Sequence, residues 1–297
     1  MEYAAESLGS VRCTFGESPV WDAAAGRLYC CDVHAGAVHA VHPVDGGHRT
    51  WHFDTCVGSL GLAAGGRLVV ALRRRVVLFD PVTGDIELVA AFDFESPHLR
   101  LNDGKVGPDG AFWVGSVHEV DLDKMQPIGA LYRVGADGST TTQVSGLKAS
   151  NGLAWSADGT EMFHSDSCGP WIDRWRFAPE TGEISGRQRL ARPGEQEGRP
   201  DGGATDMLGT YWSAGTSAGV LNRYERSGRL LEKIRLPVPR PTMPCFGGAD
   251  MKTLFVTSRC DVLTAEQRVD APLSGAVLRL RCDVAGVPGF VFGQSRL

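Results

Sequence analysis

The sequence predicts an all-β protein, a six-bladed β-propeller in which residues 1–297 form a single domain. Two observations lead there. A Gly-hydrophobic strand start recurs at Gly26-Arg27-Leu28-Tyr29, Gly66-Arg67-Leu68-Val69, Gly110-Ala111-Phe112-Trp113, Gly159-Thr160-Glu161-Met162 and Gly209-Thr210-Tyr211-Trp212, with a sixth copy at Lys252-Thr253-Leu254-Phe255. Successive copies lie 40 to 50 residues apart, the length that one four-stranded blade uses. The second observation is local: short β-rich runs are separated by Gly, Asp, Asn or Pro turns, and no run of ten or more residues has a convincing helical period.

In the first unit the runs Arg27 to Asp32, Ala37 to His42 and His48 to Phe53 read as strands. Each later start opens an equivalent unit, and each start is expected to be the innermost, channel-lining strand of its blade. Trp113 and Trp212 then occupy equivalent positions and read as packing between blades. Radial repetition of small sheets leaves only short, protected edges. No Pro/Ser-rich linker or composition break divides the chain.

Composition excludes several function classes. With 30 basic and 35 acidic side chains the net charge is −5, so no basic face for nucleic acid is expected. The one basic run, Arg73-Arg74-Arg75, reads as a solvated hairpin. No apolar stretch approaches the roughly 18 residues that span a bilayer, and no membrane partner is expected. The 8 cysteines include no C-x-x-C pair, and Met1 to Glu6 carries two acids and no apolar core of a signal segment. Free thiols in a reducing cytoplasm are therefore expected, with one disulfide left open.

The candidate chemistry comes from a polar residue at a fixed place in the repeat. Asn102, Asn151 and Asp201 stand eight residues ahead of Gly110, Gly159 and Gly209, and Glu17 stands nine ahead of Gly26. In a ring, side chains at equivalent positions converge on one end of the axis. Glu17, Asn151 and Asp201 offer two carboxylates and an amide oxygen, a set suited to Ca²⁺, Mg²⁺ or Mn²⁺ and acceptable to Zn²⁺ and Fe²⁺. Three ligands leave positions for water and substrate. The competing reading is a turn: Asn102-Asp103-Gly104 and Pro200-Asp201-Gly202 are good turn sequences. The common offset favours the site for Asn102, Asn151 and Asp201, whereas Asp109 and Asp158 keep the turn reading. His34, His39, His42, His48 and His52 read as strand or turn residues, and Trp171, beside Gly169-Pro170, is a candidate sugar-facing wall.

The segments Gly16-Glu17-Ser18-Pro19-Val20-Trp21, Arg100-Leu101-Asn102-Asp103-Gly104-Lys105, Ser150-Asn151-Gly152-Leu153-Ala154, Pro200-Asp201-Gly202 and Cys245-Phe246-Gly247-Gly248 together resemble the SMP-30/gluconolactonase/regucalcin family. The resemblance covers essentially the whole chain. It implies a propeller with one divalent metal ion that hydrolyses sugar lactones. Glu17, Asn151 and Asp201 would hold the metal, Asp201 would also act as general base, and Arg100 and Asn102 would bind substrate. Where the animal branch carries two adjacent Glu residues, this chain has Glu119 followed by Val120. Glu119 is the candidate for that substrate contact and His118 the second. Asp103 is the reserve base, with a turn residue as its plain reading, and Lys105 is expected on the solvated side of its strand.

A metal-dependent aldonolactonase is thus the leading expectation, with a small-molecule sugar lactone as partner. An organophosphate hydrolase-like propeller and a non-catalytic calcium-binding regulatory propeller are the alternatives. Polyol-binding donors around the metal favour lactones, and an apolar wall favours organophosphates.

Overall fold

The computed structural model describes residues 3–295 and consists almost wholly of strands, arranged as six sheets in a ring, five of four strands and one with a short fifth. Blade I runs outward from the axis as Gly16–Asp22, Arg27–Asp32, Ala37–Val41 and His48–His52. Blade II is Val57–Ala63, Leu68–Leu72, Arg75–Phe79 and Ile86–Ala91. Leu99–Val106, Phe112–His118, Gly129–Val134 and Thr140–Leu147 make blade III, and Ser150–Trp155, Glu161–Asp166, Trp171–Ala178 and Glu183–Ala191 make blade IV. Blade V is Pro200–Thr205, Tyr211–Gly215, Val220–Tyr224 and Leu230–Arg235. Blade VI begins with Pro241–Gly247, Thr253–Ser258 and Ala276–Arg281, and its outermost strand is Glu6–Arg12 from the other end of the chain. That exchange closes the ring, a closure the repeat count did not foresee.

The glycine-marked starts prove to be the second strand of each blade, not the innermost. The reason is the turn between the two. Gly110, Gly159 and Gly209 have φ of 73°, 74° and 79°, a left-handed conformation that glycine adopts without strain, so the strongest repeat signal falls at the hairpin. The innermost strand before it is shorter in hydrophobic signal because polar residues occupy it.

Burial grades outward. Ser150–Trp155, Pro200–Thr205 and Leu68–Leu72 are buried throughout, because neighbouring blades cover both faces, whereas Glu183–Ala191 is largely exposed. Between blades, aromatic rings interlock: Trp113 meets Trp155 and Phe177 edge-on, and Trp212 meets Phe246 likewise. Trp113 and Trp212 are fully buried, as expected, though on second strands.

One end of the axis is covered. Val291–Phe292 pairs with Leu62 and Ala63 of blade II, and Phe290 packs on Trp155. Beneath this cover lies a cavity of about 60 Å³ lined by Lys105, Thr205, Cys245, Trp155 and Phe290, among others. All eight cysteines are free, and among the described residues no helix is long and apolar enough to cross a membrane.

Candidate functional site

Every innermost strand starts at the end of the axis opposite that cover. Glu17, Asn151 and Asp201 are each the second residue of theirs, and Asn102 is the fourth residue of Leu99–Val106. At this level the pairing with the second strand breaks in all six blades: between Glu17 and Val20, Val57 and Ser59, Leu101 and Gly104, Asn151 and Ala154, Pro200 and Gly203, and Pro241 and Pro244. Such irregularities twist a strand locally and redirect side chains, here at the rim of the channel.

Two of the breaks match closely. Glu17 pairs with Cys31 and Asn151 with Ser165, both penultimate in their second strands, and the next residues, Ser18 and Gly152, have φ of 49° and 70°. The left-handed turn at Ser18 costs about 1–2 kcal/mol for a side-chain-bearing residue. Its hydroxyl offsets part of that by exchanging bonds with Leu60, and its N–H donates to Glu17 Oε2 at 3.2 Å. At Gly152 a Cβ would lie 2.5 Å from both Ser165 Oγ and Tyr211 Oη. Gly152→Ala is therefore expected to cost about 2–4 kcal/mol, the sum of turn strain and overpacking. Gly146→Ala, with φ of 76° but open space around its Cβ, should show the strain alone. Equal losses for the two in denaturant unfolding would contradict the crowding.

The sequence-selected residues do converge. Burial pushes the Glu17 carboxyl well above its usual range, and the Asp201 and Asp103 carboxylates push it further, so the three bear on one another. Asp201 is raised to about 7, first by burial and also by Asp103, against the pull of Arg259, Arg199 and the Thr216 hydroxyl. Asn151 Oδ1 accepts from Asn102 Nδ2 at 3.3 Å, and its amide donates to Ser167 Oγ at 2.7 Å. Asn102 also donates to the Ser150 carbonyl and accepts from Arg100 at 2.9 Å. Arg100, only 4% exposed, donates to Glu119 Oε1 at 2.5 Å, and Arg73 donates to the other carboxylate oxygen at 3.0 Å. Burial works to raise the Glu119 pKa, but the two guanidiniums outweigh it and hold the group below its usual value.

Several expectations need correction. Lys105 does not face solvent: an innermost strand has no solvated side, and its ammonium donates to the Gly203 carbonyl at 2.7 Å beside the axial cavity. The Arg73-Arg74-Arg75 run is not a merely solvated hairpin, since Arg73 reaches Glu119, Arg74 holds the Phe94 and Ser96 carbonyls, and Arg75 pairs with Asp54. Trp171 offers no free wall, because its faces meet Arg187 and Arg189 and its edge meets His164. His118 is buried and accepts from the Gln126 N–H. Asp103 Oδ2 accepts from Leu153, while Oδ1 is buried without a partner among the described residues.

Sequence reasoning missed the rest of the rim. Ser167, Thr216 and Arg259, like Arg73 and the Glu119 already singled out, each directly follow the second strand of their blade, and Arg199 and Arg240 directly precede innermost strands. Placing the repeat one strand earlier would have aligned them. Asp32 and Asp166, the last residues of equivalent second strands, were also unseen. Asp32 accepts the Thr14, Phe15 and Ala35 N–H groups, and Asp166 those of Lys148, Ala149, Cys168 and Gly169. They fix the chain entering the strands that carry Glu17 and Asn151.

A six-bladed ring with buried carboxylates and amides gathered at its open end defines a class of axial-site propellers. Within that class the chain belongs to the SMP-30/gluconolactonase/LRE-like family, whose profile it matches over residues 15–259. It is 37% identical over 272 residues to the 6-deoxy-6-sulfogluconolactonase of Pseudomonas putida, covering 91% of this chain and 92% of that one. It is 31% identical to the regucalcin of Gallus gallus over 293 residues, 97% of each chain. In structure it superposes on the calcium-binding protein regucalcin of Agrobacterium tumefaciens with a TM-score of 0.92 at 24% identity, covering 99% of both chains.

Proposed function

We propose that the protein is a metal-dependent aldonolactonase whose centre is Glu17, Asn151 and Asp201. One observation carries the reading: the Glu17 and Asp201 carboxylates lie buried at the end of the axis opposite the cover, close enough that Asp201 raises the Glu17 pKa, while Asn151, at the equivalent turn, bonds Asn102. Arg259, the cation acting on both, is itself committed to Asp261. This donor set fits a divalent ion, whether Ca²⁺, Zn²⁺, Mn²⁺, Mg²⁺ or Fe²⁺. Sugar lactone hydrolysis as the reaction class is supported by family membership and by the sulfogluconolactonase relative.

When bound, the ion supplies Lewis acidity toward the lactone carbonyl and toward water. Asp201 takes the proton of the attacking water with the carboxylate oxygen not engaged elsewhere. Asn102 presents donor and acceptor to the polyol, Glu119 accepts from its hydroxyls, and Arg100 completes this substrate-binding group by holding both in place. The polar surround supports lactones over organophosphates. Eight free thiols suit a reducing compartment, in keeping with a cytoplasmic enzyme.

The test is a panel of aldonolactones offered to chelated protein reloaded with single metals, followed by proton release. Turnover should appear only on reloading. Chelated protein that hydrolyses a lactone at the reloaded rate would refute metal dependence. The regucalcin relatives favour one second reading, a calcium-binding regulatory propeller, for which micromolar calcium would raise the melting temperature with no turnover on any lactone.

A further inference from the structure

We infer that the rim of the site receives an oxyanion substituent carried by the substrate away from its lactone carbonyl, selected by Arg199 and Arg240, an inference that rests on the lactonase reading above. Three guanidiniums crowd one arc of the rim. Arg199 precedes the innermost strand of blade V, Arg240 precedes that of blade VI, and Arg259 follows the second strand of blade VI. The Arg259 N–H donates to the Arg240 carbonyl, and the Thr216 N–H to that of Arg199, so backbone bonds hold the arc. Arg199 and Arg259 both act on the Asp201 carboxylate, and both repel Arg240.

What these cations are paired with decides their use. Arg73 and Arg100 share Glu119, and Arg259 forms two 2.7 Å bonds to Asp261 while lying 3.6 Å over the Phe15 ring. Elsewhere arginines meet acids in the same way, as in Arg133 with Asp109 and Arg223 with Asp206. Arg199 and Arg240 differ. Among the described residues Arg199 makes no ion pair, and Arg240 makes one 3.4 Å bond to the Thr216 carbonyl while its Nε is buried without a partner. A buried donor left unsatisfied is costly, and two like charges held together add to the cost, so folding alone does not explain the arrangement.

An oxyanion offsets the mutual repulsion of these guanidiniums. A guanidinium fork matches a carboxylate, phosphate or sulfonate with two parallel bonds, which a neutral hydroxyl cannot reproduce. The arc also runs against the chain's net charge of −5. There is room beside it: Arg240 and Arg235, with Ser217 and Gln267, line a surface cleft of about 380 Å³. The glutamate-bound arginines on the opposite arc leave that side for hydroxyls. A substrate carrying its anion at the far end of the sugar would then span the ring.

The experiment compares metal-loaded parent and the Arg199→Gln/Arg240→Gln double variant on a neutral hexonolactone and on lactones bearing a terminal phosphate, sulfonate or carboxylate. The parent should prefer at least one anionic lactone by about tenfold or more in kcat/KM, as expected for one well-made charge-assisted contact. The double variant should bring that ratio to within about threefold of unity, and Arg240→Lys should keep part of it. Added salt should slow the anionic substrate and not the neutral one. Circular dichroism and thermal unfolding establish that the variant is folded.

A parent that hydrolyses the neutral lactone without preferring any anionic one overturns the inference and leaves the lactonase reading standing. So does a variant that slows neutral and anionic lactones alike, which would assign the arginines to the reacting carbonyl. If no lactone is turned over, calorimetric titration with a terminally phosphorylated aldonate decides. Binding that the double variant loses supports the oxyanion site while the lactonase reading fails, and no binding sinks both.

Discussion

Asp201→Ala is expected to abolish metal-dependent lactone hydrolysis, lowering kcat/KM by about 10³-fold or more, while the ring still folds. The same carboxylate is a proposed ligand and the proposed base, so both functions go together. Stability supplies a readout separate from activity. Burial holds the Asp201 carboxyl at about 7, above its unfolded value, so its contribution is fully present below about pH 4. It is lost as pH rises through 7. Metal-free parent should thus be more stable at pH 5 than at pH 8, and Asp201→Ala should flatten part of that difference. Glu17 and Asp103, shifted in the same direction by burial, add to the same slope. A divalent ion at a hundred times its dissociation constant adds about 2.7 kcal/mol, a rise in melting temperature of about 5 °C for a chain of this size. The parent should show that rise at pH 8 and the variant should not. A variant that kept both the rise and the turnover would remove Asp201 from the centre.

Arg100→Ala should have the second largest effect, through other residues. Its guanidinium is almost completely buried and holds Glu119, Asn102 and the Leu101 carbonyl at once. Removing it leaves Glu119 with Arg73 alone and takes the donor from Asn102 Oδ1, which in turn loosens the amide facing Asn151. Losing a charge-assisted contact to a carboxylate that is one-third exposed and keeps Arg73 costs about 1.5–3 kcal/mol. The misplaced substrate group should lower kcat/KM by about 10²-fold. Arg100→Ala/Glu119→Gln removes the stranded charge as well, so it should be more stable than Arg100→Ala. Thermal unfolding of the cycle checks this, and a double variant that is less stable still would show that Arg100 acts by packing and not by pairing.

The fold was legible because turn chemistry repeats. Glycine at the hairpin before the second strand adopts positive φ in five of the six blades, so Gly110, Gly159 and Gly209 marked the period better than any hydrophobic pattern could. The same cause misplaced the frame by one strand, since the innermost strands are polar where they carry the site. Asn102, Asn151 and Asp201 could nevertheless be singled out by one shared offset, and Glu17 by an offset one residue longer, because a count taken from the wrong strand still recurs from blade to blade. Lys105 was misjudged because solvent exposure was assumed for a charge on a strand that neighbouring blades enclose. Arg199, Arg240 and Asp166 were invisible for a different reason. Their contacts include guanidiniums and backbone groups brought close only by the ring, as between Arg240 and Arg199 or between Asp166 and Lys148, which no spacing within one strand encodes.

The ring is finished by its own beginning. Glu6–Arg12 seals blade VI, so this strand is made long before Ala276–Arg281, the strand it pairs with. Glu17 follows that early strand directly, and Asp201 arrives only with blade V. A nascent chain consequently holds its would-be ligands apart until blade V is made, and local contacts alone cannot assemble them. A cation held by the proposed ligands would have no complete cage to enter before then, so it would act as a lock on the finished circle and give little help to the blades that form first.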